Sequence, residues 1–244
     1  MAEFLMKIAG HTARITSLFE STPQYFKPYL TDDAPEFSVT VTRADIDFEQ
    51  ADLLEEAHRD GFKPRVFTDP FLERAAIQRA FAEYLFQFDI LLFHGSALAV
   101  DQEGFLFTAH SGTGKSTHTR YWRQLFGDRA VMVNDDKPFL ELRENGVWLH
   151  GSPWSGKHGL DANICVRLQG LCILERGVEN SIRPASAEEM LPMAHKQAYR
   201  PLDEGKEAQF LQLTHRLTQL IPLWKMACTK DPRAAQIAYD AMHT

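Results

Sequence analysis

From Phe37 to Thr42, apolar Phe37, Val39 and Val41 alternate with polar Ser38, Thr40 and Thr42. A period of two predicts a half-buried strand. The acidic segment Ala44–His58 predicts a helix, broken by Gly61 and Pro64. Asp69-Pro70 predicts the next helix start, with Asp69 as N-cap and Pro70 at the first helical position. Ile77, Phe81, Tyr84, Leu85 and Phe88 continue that helix as a core-facing stripe.

Beyond Phe88 the texture changes. Ile90–Phe93 is an unbroken apolar run and predicts a buried strand. Ser96–Val100 and Phe105–Thr108 predict two more, joined by a turn at Asp101–Gly104. Lys115–Phe126 predicts a helix, with Gly127 suited to the C′ position. Ala130–Val133 predicts a short buried strand that runs into Asn134-Asp135-Asp136. Phe139–Leu142 and Val147–His150 predict a hairpin across Glu144-Asn145-Gly146. Ile164–Leu174 holds two strand-like stretches. Ala187–Ala198, Glu204–Leu220 and Pro232–Met242 read as helices, with a short strand, Pro222–Cys228, between the last two. A strand-rich middle with helices on its flanks predicts a mixed α/β fold. Residues 1–88 form a small N-terminal α+β unit in this reading, and residues 89–244 form the main domain. No internal repeat or low-complexity tract is visible.

Composition narrows the function classes. The 244 residues suffice for a real core, and 44% apolar with 24% charged residues is ordinary for a globular chain. The net charge of −7 disfavours a generic grip on nucleic acid, which needs a basic surface. No apolar run is long enough to span a bilayer, and the start Met-Ala-Glu-Phe-Leu-Met-Lys lacks the basic and apolar regions of a signal peptide. Cys165, Cys172 and Cys228 are scattered with no CxxC spacing, which predicts neither a zinc site nor a disulfide framework. Cys165 and Cys172 lie in apolar runs and are expected as buried thiols. Free thiols point to a reducing compartment. The expectation is a cytoplasmic protein with no nucleic-acid or membrane partner.

The chemistry concentrates at Ala109-His110-Ser111-Gly112-Thr113-Gly114-Lys115-Ser116-Thr117. Its Gly-Lys-Ser tail is that of a phosphate-binding P-loop. Glycines let the backbone wrap so that several N–H groups point at one anion. Lys115 is placed to reach the β- and γ-phosphates, and the Ser116 hydroxyl to bind Mg²⁺. The helix N-terminus adds partial positive charge at the same point. The first glycine of the pattern is replaced by Ala109, so the loop must open in a conformation that an L-residue tolerates.

Asp135 and Asp136 come twenty residues after Lys115, at the end of an apolar strand. After a P-loop, a carboxylate there can hold Mg²⁺, while the other can take a proton from an attacking hydroxyl. His94 follows a buried strand, and a histidine beside a carboxylate fixes its orientation and tunes its proton affinity. Residues 151–158, Gly-Ser-Pro-Trp-Ser-Gly-Lys-His, form a glycine-rich loop. Lys157 on it would offset transition-state charge near a γ-phosphate, and Trp154 would pack on a base or a substrate.

The order His94-Gly95-Ser96, hairpin, Ser111–Thr117, Asp135-Asp136 resembles the catalytic domain of HPr kinase/phosphorylase and the related phosphoenolpyruvate carboxykinase nucleotide site. The resemblance spans roughly residues 90–175. It implies a mixed sheet built around a P-loop, ATP and Mg²⁺ as cofactors, and phosphoryl transfer to a hydroxyl. It assigns nucleotide binding to Ser111, Gly112, Thr113, Gly114, Lys115, Ser116 and Thr117. Ser116 and Asp136 become the metal-side groups, and Asp135 the base paired with His94, with the two acids open to exchange of roles. Homo-oligomers are also within what the resemblance implies. The expected function is an ATP- and Mg²⁺-dependent kinase whose acceptor is a small-molecule alcohol or a peptide or protein serine. The other reading is a nucleotide-responsive binding module without phosphotransfer. The paired acids favour the enzyme, because a sensor needs the metal but no spare base.

Overall fold

The computed structural model describes residues 1–59 and 61–243, and the chain divides into two compact units, Met1–Tyr84 and Leu85–Thr244. In the first, β1 (Ala2–Ile8) and β2 (His11–Ser17) form an antiparallel hairpin that pattern reading did not foresee. Only Met6 and Ile8 of β1 are buried, so its sequence shows little alternation. After a single helical turn, α1 (Thr22–Tyr25), β3 (Phe37–Thr40) joins β2 in parallel to give the order β1-β2-β3. Helices α2 (Arg43–Arg59) and α3 (Asp69–Leu85) follow. Asp69 is not the N-cap expected for α3. The N–H groups of Phe71 and Leu72 already donate to Thr68 O, so Asp69 lies in the first turn, where its carboxylate pairs with Arg43. Met6, Ile15, Phe26, Ile46, Ile77 and Phe81 are buried and form the centre of this unit.

The second unit is a mixed α/β assembly. Its elements are β4 (Ile90–Leu92), β5 (Ser96–Val100), β6 (Glu103–Thr108), α4 (Lys115–Phe126), β7 (Ala130–Asn134), β8 (Phe139–Arg143) and β9 (Gly146–His150). Then come β10 (Cys165–Arg176), β11 (Ser181–Pro184), α5 (Ala187–Gln197), α6 (Glu207–Leu220), β12 (Leu223–Cys228) and α7 (Arg233–Met242). The main strand order is β4-β8-β9-β10-β6-β5-β7. β10 is one continuous strand rather than two, with a register shift between Leu168 and Gly170 that accounts for the apparent break. It pairs antiparallel with β9 at one end and parallel with β12 at the other, while β6 runs parallel along its opposite side. The short β11, which pairs with β12, was also not foreseen.

Side chains alternate across β6, and both of its faces are buried. Leu106 belongs to a cluster with Leu149, Leu171, Met190 and Phe210, which places α5 and α6 on one face. Phe105 and Phe107 belong to a second with Trp122, Met226 and Ala238, which places α4 and α7 on the other. Burying each such phenylalanine contributes about 1.5–3 kcal/mol. This two-sided covering also explains why β6 reads as a continuous apolar run.

The pairing fixes where chemistry can gather. β5 is antiparallel to both β6 and β7, so the start of β5 and the ends of β6 and β7 lie on one side of the sheet. His94-Gly95 precedes β5, the glycine-rich loop follows β6, and Asp135-Asp136 follow β7. The carboxyl ends of strands are where open α/β sheets bind ligands.

Candidate active site

The loop from His110 to Gly114 links β6 to α4. Ala109 follows the strand directly, fully buried, and it is not among the residues with positive φ. That is how alanine is accommodated where the motif has glycine. Gly112 and Gly114 do take positive φ, 76° and 124°, so the turns that need glycine come later in the loop. Gly114 caps α4, and its carbonyl accepts the Thr117 and His118 N–H groups at 3.0 and 2.9 Å. The N–H groups ahead of Thr117 in this first turn have no carbonyl within the helix to donate to. The Arg176 guanidinium, at the end of β10, donates to Gly112 O at 2.8 Å and holds the loop from outside. Lys115 reaches back over the loop, with Nζ 3.4 Å from Ala109 O.

An open cleft of about 470 Å³ is lined by His94, Ser111, Gly112, Gly114, Lys115, Ser116, Thr117, Asp135, Asp136, Gly156 and Lys157. Thr113 is the member of the loop set that does not line it. Its N–H is turned to His110 O, 3.2 Å away. The segment after β9 returns beside the end of β7: Ala162 N–H donates to Val133 O, and Asp135 N–H to Leu160 O. This path carries exposed Lys157 to the cleft. Gly156 sits against Asp135 and donates its N–H to that carboxylate, and a Cβ there would stand a tight 3.3 Å from both carboxylate oxygens, so the carboxylate would have to give way slightly.

His94 pairs with Asp136, not with Asp135 as the resemblance implies. His94 Nε2 lies 3.2 Å from Asp136 Oδ1. The backbone dictates the choice: Gly95 N–H donates to Asp136 O at 3.0 Å, which ties the His94 segment to the second acid. Asp135 instead takes the Gly156 N–H. Trp154 does not line the cleft. It is buried beside Phe139, with ring centroids 6.4 Å apart. Of the two thiols expected to be buried, Cys172 is, but Cys165 is exposed at the start of β10.

The two acids differ electrostatically. Burial pushes the Asp135 carboxyl above the ordinary carboxylate range, and the neighbouring Asp136 charge adds to this against the Gly156 N–H. Burial pushes Asp136 the same way, but the His94 hydrogen bond and the positive charges of Lys137 and Lys115 outweigh it and hold the group below the usual range. Burial, reinforced by Lys137 and Lys115, keeps the His94 imidazole below its ordinary value despite the bond to Asp136. Burial also lowers Lys115, which Asp136 partly offsets. Asp136 is thus the firmly ionised acid, and Asp135 the one nearer to holding a proton.

Among the described residues, no group of three or more His, Cys, Asp or Glu is arranged to hold a metal ion by itself. Ser116 and Asp136 share the cleft and offer oxygen ligands. Such a sparse oxygen set suits Mg²⁺, which takes one or two protein ligands and fills the rest with phosphate oxygens and water.

Sequence reading passed over the side chains of Asn134, Lys137, Ser152 and Arg176. Asn134 carried a local signal, since asparagine at a strand end favours a side-chain-stabilised turn. Arg176 carried none, because its partner is 64 positions away.

No family model matches the chain, and no curated protein matches its sequence. Among solved structures, the chain is similar to the HPr(Ser) kinase/phosphatase from Coxiella burnetii, at 11% identity. The match covers 62% of this chain and 95% of that one, with a TM-score of 0.38. A likeness at that score carries no argument about activity. No helix among the described residues is long and apolar enough to cross a membrane.

Proposed function

We propose that the cleft binds ATP with Mg²⁺ and transfers the γ-phosphate to a hydroxyl. The observation that carries this reading is that one cleft is lined both by the glycine-rich loop with Lys115 and by two carboxylates of unlike proton affinity. The loop and the α4 N-terminus cradle the phosphates, with Lys115 as the point charge. Ser116 and Asp136 would hold Mg²⁺, which when bound neutralises phosphate charge. Asp135 accepts the proton of the acceptor hydroxyl as its oxygen bonds to phosphorus and the bond to the ADP oxygen breaks. Lys157 faces the cleft from the opposite loop and stabilises the charge that develops on the transferred group. The acceptor is a small-molecule alcohol or a peptide or protein serine.

Acceptor-dependent ADP release tests the reading. Wild-type protein should release ADP with Mg²⁺ and a suitable alcohol or serine peptide, and Lys115→Ala should lose nucleotide binding or transfer because the phosphates lose their charge partner. Equal binding and turnover by Lys115→Ala would overturn it.

A further inference from the structure

Adjacent residues of a strand point to opposite faces of the sheet, yet Asp135 and Asp136 both line the same cleft. The backbone leaves strand geometry before them, because β7 ends at Asn134. That residue is fully buried. Its side-chain Oδ1 accepts the N–H groups of both Asp136, at 2.7 Å, and Lys137, at 2.6 Å. This is a turn closed by a side chain in place of a backbone carbonyl. The same amide donates through Nδ2 to Ser152 O at 2.8 Å and Ser152 Oγ at 3.1 Å, and the Ser152 hydroxyl donates on to Lys137 O at 2.6 Å. Ser152 begins the stretch that delivers Gly156 to Asp135 and Lys157 to the cleft. One buried amide thus uses both its acceptor and its donors to join the turn of the acids to the loop opposite.

We infer that Asn134 is the positioning residue of this site: its side chain turns two sequence-adjacent carboxylates into one cleft and locks the Lys157 loop to them. Without the turn, β7 continues as a strand, and Asp136 swings away from His94 and Lys115. Asn134 touches no reacting atom and acts through Asp136 and the loop. The rate consequences rest on the phosphotransfer reading, whereas the structural consequences do not.

The test compares Asn134→Ala, Asn134→Ser and Ser152→Ala with wild type. Three quantities are measured: amide hydrogen exchange at Asp136 and Lys137, ATP affinity with and without Mg²⁺ by calorimetry, and steady-state kinetics. Asn134→Ala should expose both amides to exchange and lower kcat by about 10²-fold, the scale of an ångström-sized misplacement. It should also weaken ATP binding only when Mg²⁺ is present. Asn134→Ser keeps a hydroxyl acceptor and should recover part of each effect, and it serves as the decisive variant if Asn134→Ala does not fold. Ser152→Ala should lower kcat with the two amides still protected. Unchanged exchange and unchanged Mg²⁺ dependence in a folded Asn134→Ser protein would overturn the inference. A wild type that binds ATP but transfers to no acceptor would instead defeat the phosphotransfer reading, leaving exchange and Mg²⁺-linked binding to decide the role of Asn134.

Discussion

His94 Nε2 stands 3.2 Å from Oδ1 of Asp136. Asp136 is held below the usual carboxylate range, so it is ionised near neutral pH and only accepts hydrogen bonds. The proton between them therefore sits on Nε2. His94 itself is held below its ordinary value, so near neutral pH it is a neutral donor rather than a cation. Under the proposed function its part would be to aim a metal-side carboxylate, in the way an outer histidine or carboxylate orients a metal ligand.

His94→Ala should raise the Mg²⁺ concentration needed for half-maximal turnover, and His94→Gln, which retains an N–H donor, should recover part of the loss. A Mg²⁺ titration of ADP release checks this. Identical Mg²⁺ dependence in wild type and His94→Ala would reduce His94 to a packing residue.

Much of the second unit was legible from pattern. Ile90–Phe93, Ser96–Val100 and Phe105–Thr108 are apolar runs bounded by turn residues, and strands β4 to β6 lie there with edges shifted by at most two residues. β1 and β11 have few buried positions and so leave little periodicity to read. Cys165 misled for a related reason. Its neighbours Ile164 and Val166 are apolar, but β10 alternates at this end, and Cys165 falls on the outward face beside His150 rather than in the core with Val166. At the site, the glycine-rich loop and the acid pair are local features that a sequence displays directly. The partner of His94 is not, because it depends on which way the chain turns after Asn134, and that turn is set by hydrogen bonds to one buried side chain.

The two acids should separate under mutation. Asp135→Asn removes the basic oxygen and should lower kcat by roughly 10²–10⁴-fold while ATP still binds. The Asp135 carboxyl lies above its ordinary value, so activity should fall as pH drops through a point higher than a solvent-exposed aspartate would give. The Asp136 charge is part of what raises it. Asp136→Asn should accordingly move that acidic limb to lower pH, along with a higher Mg²⁺ requirement. Rate measurements from about pH 4 to 8 in both variants decide the matter, and coincident profiles would mean that the two residues share one role.

His118 supplies a stability test independent of chemistry. It lies on α4, 2% exposed, and its Nε2 accepts the Trp122 indole N–H at 3.0 Å. Burial pushes its pKa down to about 3. In the unfolded chain it would take a proton near pH 6.5, whereas the folded protein leaves it neutral until far lower. Between these points the unfolded state binds more protons, so folding stability should fall as pH falls, with a slope approaching ~1.4 kcal/mol per pH unit from this residue. The contribution is fully present above pH 6.5 and is lost progressively toward pH 3. Denaturant unfolding at several pH values should show His118→Gln less stable than wild type near pH 7, where the ring packs against Phe107 and Trp122, but with a shallower decline into acid. A variant whose stability falls with pH as steeply as wild type would show that His118 is reached by protons in the folded state, and that the α4 core is less closed than its burial implies.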